Sequence, residues 1–323
     1  MTTKTCTVLL LFLGLILPAL SDKCPDPDRL PSTCQCEEDF VEDDVDVEIS
    51  CSGSSIQELR DALRLMDKNS RLEVQLDDMI LGTLPADIFN GWNVVKLDIS
   101  HCELDTLKSQ GRLDLQGLED KLEVLVITAS LSEENGPNEI IVNHFRRLRE
   151  LDLSFNAIEE IHDNWFSVAP PSLTHLTLSN NGIVKLGDRA FENLNNLEFL
   201  GLHGNRFGAI KRSMLPKYAI RLEELEFDNN DFTSVPDDLF TGMAALKELS
   251  LRTNRITHLQ EQAFKPIWGQ LGVFDVRGNP LECDSTTEWM FRAKTDAYIL
   301  GRCEGPRGRE GMDLKDFIQN RGQ

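Results

Sequence analysis

Two kinds of residue in this chain have chemistry to offer: carboxylates crowded along its whole length and cysteines gathered toward its two ends. Paired carboxylates such as Glu159 and Glu160 are what general acid–base catalysis uses. With 54 acidic residues against 33 basic ones, however, such pairs are expected from composition alone. No Gly-x-Ser-x-Gly elbow, His-Glu-x-x-His helix or phosphate-cradling glycine loop accompanies them, and the six histidines are scattered singly. The expectation is therefore no catalytic residue, no cofactor site and no enzyme. The run Glu37, Glu38, Asp39, Glu42, Asp43, Asp44, Asp46, Glu48 has the charge to attract calcium or a basic partner. It lacks an EF-hand-type loop pattern, so it reads as a solvated face and no metal site is expected.

The cysteines do a different kind of chemistry. Cys24, Cys34, Cys36 and Cys51 cluster near one end and Cys283 and Cys303 near the other, a distribution that suits disulfides formed in an oxidising compartment. Spacing alone leaves three pairings open among the first four. Lys4, the apolar run from Val8 to Leu17, Pro18 and the small residues Ala19 and Ser21 read as a secretory signal over residues 1–21, with which Cys6 would leave. No later stretch approaches 18 uninterrupted apolar residues and the tail from Asp313 to Gln323 is mostly polar, so neither a membrane span nor a lipid anchor is expected. The reading is a secreted, extracellular chain. Cys102 is left as a small buried thiol, inert because structural buried cysteines are unreactive.

What positions these residues is a spacing, L-x-x-L-x-L-x-x-N-x-L, that recurs about every 23 to 28 residues from Val74 to Leu281. Leu148, Leu151, Leu153, Asn156 and Ile158 form one clear unit, and the same offsets return at Leu173 to Ile183, Leu197 to Phe207, Leu222 to Phe232 and Leu246 to Ile256. Such self-similarity marks a leucine-rich-repeat solenoid, a curved α/β horseshoe with a concave parallel β-sheet, of about nine repeats. The fourth and sixth positions point inward from a short strand, and Asn156, Asn181, Asn205, Asn230, Asn254 and Asn279 should stack into a buried ladder that satisfies backbone groups. Ile161, Leu186, Ile210, Val235 and Leu259, with Phe166, Phe191, Phe240 and Phe264 beyond them, should fill the core under the convex side. The early repeats are degenerate: one lacks the asparagine, the next has Cys102 in its place and the third has Ser130. Two long irregular segments, around Lys108 to Glu119 and Ser132 to Glu139, should be surface loops. Ahead of the repeats, Val45, Val47, Ile49 and Cys51 alternate with polar residues, which predicts the strand that opens the sheet. Ser55 and Glu58 then form a capping box for a short amphipathic helix carrying Ile56, Leu59, Ala62, Leu63 and Met66. The chain divides into a signal at 1–21, an N-terminal cap with the first helix at 22–69, repeats at 70–281 and a C-terminal cap at 282–323.

The strand residues between the inward leucines write out the concave surface. Val124 and Val126, with Phe155, His175, Phe199 and His203 nearby, make an apolar and aromatic centre, and Glu223, Glu224, Glu226 and Asp228 make an acidic block beside it. An apolar centre with a charged rim suits a protein-binding patch. The bland alternatives are that Phe155 only covers a neighbouring strand edge, that the adjacent long loop hides Val124 and Val126, and that the two histidines are bystanders. A net charge of −21 argues against nucleic acid, polyanions and anionic membranes, which it repels over a Debye length of about 10 Å. The expected partner is a protein. No Asn-x-Ser/Thr sequon is present, so solubility rests on charge.

Asn279-Pro280, Cys283, Trp289, Cys303, Pro306, Gly311 and Leu314 resemble the cysteine-flanked C-terminal cap of extracellular leucine-rich-repeat proteins, and the Cys-x9-Cys-x-Cys-x14-Cys pattern resembles their N-terminal cap. The resemblance implies bridges Cys24–Cys36, Cys34–Cys51 and Cys283–Cys303. The family's second C-cap bridge is missing both members, since Ser285 stands where one cysteine belongs and none follows Cys303. In layout, the acidic N-cap, the helix after Cys51 and the irregular early repeats resemble secreted arthropod proteins similar to the non-catalytic subunit of Oplophorus-luciferin 2-monooxygenase. That resemblance implies an accessory subunit of a secreted oxygenase or luciferase-like complex; the alternative is an immune-type recognition protein.

Overall fold

A computed structural model describes residues 23–38, 45–53, 55–105, 115–131 and 141–319. The expected signal with Cys6, the middle of the acidic run and most of the two irregular segments lie outside these residues. Twelve short strands line up in chain order in one sheet, parallel throughout except for the first pair. Each repeat supplies one strand because its leucines alternate inward while the residues between them stay solvated. Leu151, Leu176, Leu200, Leu225, Leu249 and Phe274 stand in register on successive strands and all are fully buried. Burying each such side chain stabilises the fold by roughly 1.5–3 kcal/mol, and no repeat reaches that state without its neighbours. The return path packs Ile161, Leu186, Ile210, Val235 and Leu259, then Phe166, Phe191, Phe240 and Phe264, against the same core.

Nine strands belong to the repeats and three to the caps, so the sheet runs past the repeats at both ends. At the N-terminal end it opens one strand earlier than the alternation around Val47 suggested. Cys34–Glu38 forms an antiparallel pair with Val47–Ser52, held by Cys34–Cys51, while Cys24–Cys36 ties the preceding segment to the first of these strands. The helix Ile56–Leu63 follows with its capping box formed by Ser55 and Glu58, and buries Leu59, Ala62 and Leu63. Trp92 Nε1 donates to the carbonyl of Leu63 at 2.8 Å, fixing the helix to the next turn. At the other end the Tyr298–Leu300 strand extends the sheet, Cys283 is bridged to Cys303, and Trp289 packs edge-on against Trp268 with its Nε1 donating to Leu259.

All six ladder asparagines are buried. In most steps an Oδ1 accepts two backbone N–H groups of the preceding repeat while Nδ2 donates to carbonyls, as when Asn205 Oδ1 takes those of Asn181 and Ile183 at 3.1 and 3.0 Å. Ser130 and Cys102 continue the ladder into the degenerate repeats, with Cys102 N donating to Ser130 Oγ at 3.0 Å. One step differs. Gly208, at φ +63°, donates to the backbone carbonyl of Asn230, and Asn230 Oδ1 is left buried without a partner. The Cys102 thiol donates to the carbonyls of Leu76 and Ser100, and burial pushes its pKa up to about 11, so it stays a protonated structural thiol.

Candidate functional site

On the open side of the sheet the flanking strand residues form two rows. The first runs Lys96, Val124, Glu150, His175, Phe199, Glu224 and Glu248 in register, and the second runs Asp98, Val126, Asp152 beside the first three, then Thr177, Gly201, Glu226 and Ser250. The residues singled out from the sequence fall into three places. Val124 and Val126 are half-buried and bracketed by charge, with Lys96 and Glu150 beside one and Asp98 and Asp152 beside the other. His175 and Phe199 are register partners whose rings stack at 6.0 Å and 17°. Phe155 is not on the sheet face. It lies in the turn that leaves the strand Glu150–Asp152.

Gly201 explains the posture of Phe199. A Cβ there would stand 3.0 Å from Phe199 Cε1 and 3.3 Å from Thr177 Cγ2, so the missing side chain is the space the ring occupies. The sequence signal was available: Gly201 is the lone glycine in a row that otherwise carries side chains.

Phe155 is 59% exposed and has φ +61°. Residues at the same repeat position share this left-handed backbone: Asp78, His101, Ala129, Asn180, Gly204, Asn229, Thr253 and Gly278. The conformation belongs to the turn of each repeat, and a residue other than glycine there works against an intrinsic cost of about 1–2 kcal/mol. Phe155 forms one wall of a hollow of about 460 Å³ whose other walls include His101, Ala129, Asn180 and His203.

His203 Nδ1 lies 2.9 Å from Ser179 Oγ and 3.2 Å from Glu226 Oε2, and Nε2 lies 3.2 Å from Asn180 Nδ2. Its pKa is raised, chiefly by the hydrogen bond to Glu226, against an opposing effect of burial. Ser, His and Glu together suggest a triad, yet both partners meet the same ring nitrogen, whereas proton relay needs the hydroxyl on one and the carboxylate on the other. Ser179 is also buried. Among the carboxylates, burial lifts Glu224 above its ordinary value, with Glu248 and Glu226 adding to it. Asp98 is lifted by burial, as is Asp228, which accepts from Ser250 Oγ at 2.5 Å and Arg252 N at 2.7 Å.

A second charged cluster went unnoticed in the sequence. The Glu123 carboxylate is only 6% exposed and draws Arg147 at 2.7 Å, Arg149 at 3.0 Å and Arg71 at 3.5 Å; the Arg147 contact is an ion pair without hydrogen-bond alignment. It ties three repeats together at the edge of the sheet, and nothing in local spacing signals it. In the acidic run, Asp46 pairs with Lys23 at 2.7 Å and accepts from Arg71 N at 2.8 Å, while residues 39–44 lie outside the described residues. Among the described residues no group of His, Cys, Asp and Glu has the arrangement to hold a metal ion.

The stacked strands, the asparagine ladder and the disulfide-closed ends define a cysteine-capped leucine-rich-repeat protein. The family described as Leucine rich repeat matches residues 146–207 and 220–281. Over 333 residues, covering 93% of this chain and 88% of the relative, the sequence is 24% identical to the Oplophorus-luciferin 2-monooxygenase non-catalytic subunit of Oplophorus gracilirostris. It is also 34% identical over 136 residues to Toll-like receptor 9 of Mus musculus and 31% identical over 174 residues to Chaoptin of Drosophila melanogaster. The chain spans only 13% and 12% of the length of those two proteins.

Proposed function

We propose that this chain is a secreted, non-catalytic binding module that captures a protein partner through the concave face of its sheet. The observation that carries the reading is the aromatic surface on that face, the His175–Phe199 stack over the gap at Gly201, with the exposed Phe155 in the turn beside the sheet. Aromatic anchors beside a charged rim are where binding energy concentrates. Three disulfides favour an oxidising compartment, and no helix among the described residues is long and apolar enough to cross a membrane. Phe199→Glu is expected to abolish partner capture from the native secretion with little change in thermal midpoint. Retained capture would place the interface elsewhere.

A second reading makes the partner a catalytic chain and this protein its accessory subunit. Its support is the near full-length match to a protein named as a non-catalytic subunit. Affinity capture with the oxidised chain, followed by size exclusion of the eluate, separates the readings: a subunit stays in a stoichiometric complex, whereas a recognition module of the immune type releases its ligand.

A further inference from the structure

We infer that the patch beside Phe199 takes a guanidinium, presented by an arginine-bearing segment of the partner; this rests on the concave-face reading and names the partner's chemistry. Glu224 and Glu248 are register partners on adjacent parallel strands. Strands about 4.8 Å apart hold such side chains close together, and like charges placed directly opposite destabilise a sheet. Cations on these and the neighbouring repeats have other partners: Lys247 turns to Glu223 at 2.6 Å, His203 faces Glu226 at 3.2 Å, and Arg277 and Arg252 face Asp275 at 2.5 and 3.8 Å. Among the described residues no cation of this chain pairs with Glu224 or Glu248. The raised pKa of Glu224 has the same origin, partial burial next to Glu248 and Glu226.

The third member of the row decides which cation fits. Phe199 is the register partner of Glu224 on the other side, so an aromatic ring, a half-buried carboxylate and an exposed carboxylate follow one another on three consecutive strands. A cation is attracted to an aromatic face and to carboxylates alike. Arginine satisfies both, because its plane stacks on a ring while its fork of N–H donors engages carboxylates, and it gives up its hydration more readily than the ammonium of lysine. The charge balance agrees: the free face is acidic on a chain of net charge −21, so complementarity calls for a basic segment.

Fluorescence anisotropy tests this with three labelled peptides in about 0.15 M salt, where long-range attraction is largely screened: one of alternating arginine and serine, one with lysine in place of arginine, and one with neutral citrulline. The expected result is arginine several-fold tighter than lysine and no binding of citrulline. Glu224→Gln with Glu248→Gln should weaken the arginine peptide at least tenfold while the thermal midpoint holds or rises, since a like-charge contact is removed. Phe199→Leu should erase the preference for arginine over lysine. Asp237→Asn with Glu310→Gln, which removes the same charge elsewhere, should change binding less than twofold. The inference is overturned if that control pair weakens binding as much as the first, if lysine binds as tightly as arginine, or if the arginine peptide does not bind. If these occur while Phe199→Glu still abolishes capture of the native partner, the concave-face reading stands and only the guanidinium site falls. Capture that survives Phe199→Glu removes the underlying reading, and the partner claim with it.

Discussion

His203 and Glu226 face each other across adjacent repeats with Nδ1 3.2 Å from Oε2. The hydrogen bond to the carboxylate favours the imidazolium, and partial burial opposes it, leaving the pKa above its ordinary value. A histidine whose folded pKa is raised contributes stability that is fully present below about pH 6.5 and lost as pH rises through the higher folded value. The stability gap between the native chain and Glu226→Gln is therefore expected to be widest in mild acid and to close as His203 deprotonates. A proton NMR titration should show the His203 midpoint moving down in the variant; an unmoved midpoint would mean that Glu226 does not set the charge state.

Phe155 offers a way to separate binding from folding. Asn is at home at φ near +60°, and Asn180 and Asn229 already occupy the equivalent places. Phe155→Asn relieves a backbone cost of about 1–2 kcal/mol and gives up the part of the ring that is covered in the hollow. The two effects are similar in size, so the unfolding free energy from urea titration should change by less than about 1 kcal/mol in either direction, while partner capture falls. A loss of several kcal/mol would instead make Phe155 a packing residue of the strand edge.

How much of this was legible depends on how far each feature repeats. The inward leucines, the convex-side phenylalanines and the buried asparagines were readable because a solenoid imposes one contact pattern on every unit, so a single spacing fixes dozens of positions. The capping box at Ser55 and Glu58 was readable because it is local. The strand Cys34–Glu38 was not, since a five-residue segment is too short to show a period of its own and forms because it pairs with Val47–Ser52. In the candidate site, the spacing placed Phe199 beside Glu224 correctly but grouped Val124 and Val126 with the aromatics, although Glu150 and Asp152 lie on the strand between them and His175. The convergence of Arg71, Arg147 and Arg149 on Glu123 joins residues up to three repeats apart, and the left-handed turn at Phe155 depends on backbone geometry that no residue type announces.

Leu200 tests the register that places every residue of the open face. It is fully buried between Leu176 and Leu225, one residue from the half-buried Phe199. Leu200→Ala should cost roughly 2–5 kcal/mol by denaturant unfolding, the range for large-to-small changes in a packed core. A negligible effect would shift the inward and outward faces by one residue and move Phe199 into the core.

The interrupted asparagine ladder makes two chemically identical substitutions unequal. Asn254 Oδ1 accepts from the backbone N–H groups of Asn230 and Phe232, each at 3.0 Å, and Nδ2 donates to the carbonyls of Phe227 and Leu251, each at 2.9 Å. Asn230 donates to Leu202 and Asp228 in the same way but accepts nothing at Oδ1. Each buried backbone group stranded by truncation costs about 1–3 kcal/mol. Asn254→Ala strands donors and acceptors, whereas Asn230→Ala strands only acceptors and also removes an oxygen that was buried at a loss. Asn254→Ala should therefore be the more destabilising by at least about 2 kcal/mol in urea unfolding. Equal costs would mean that Asn230 Oδ1 is satisfied in solution, with a buried water between it and the Phe207–Gly208 turn as the simplest partner.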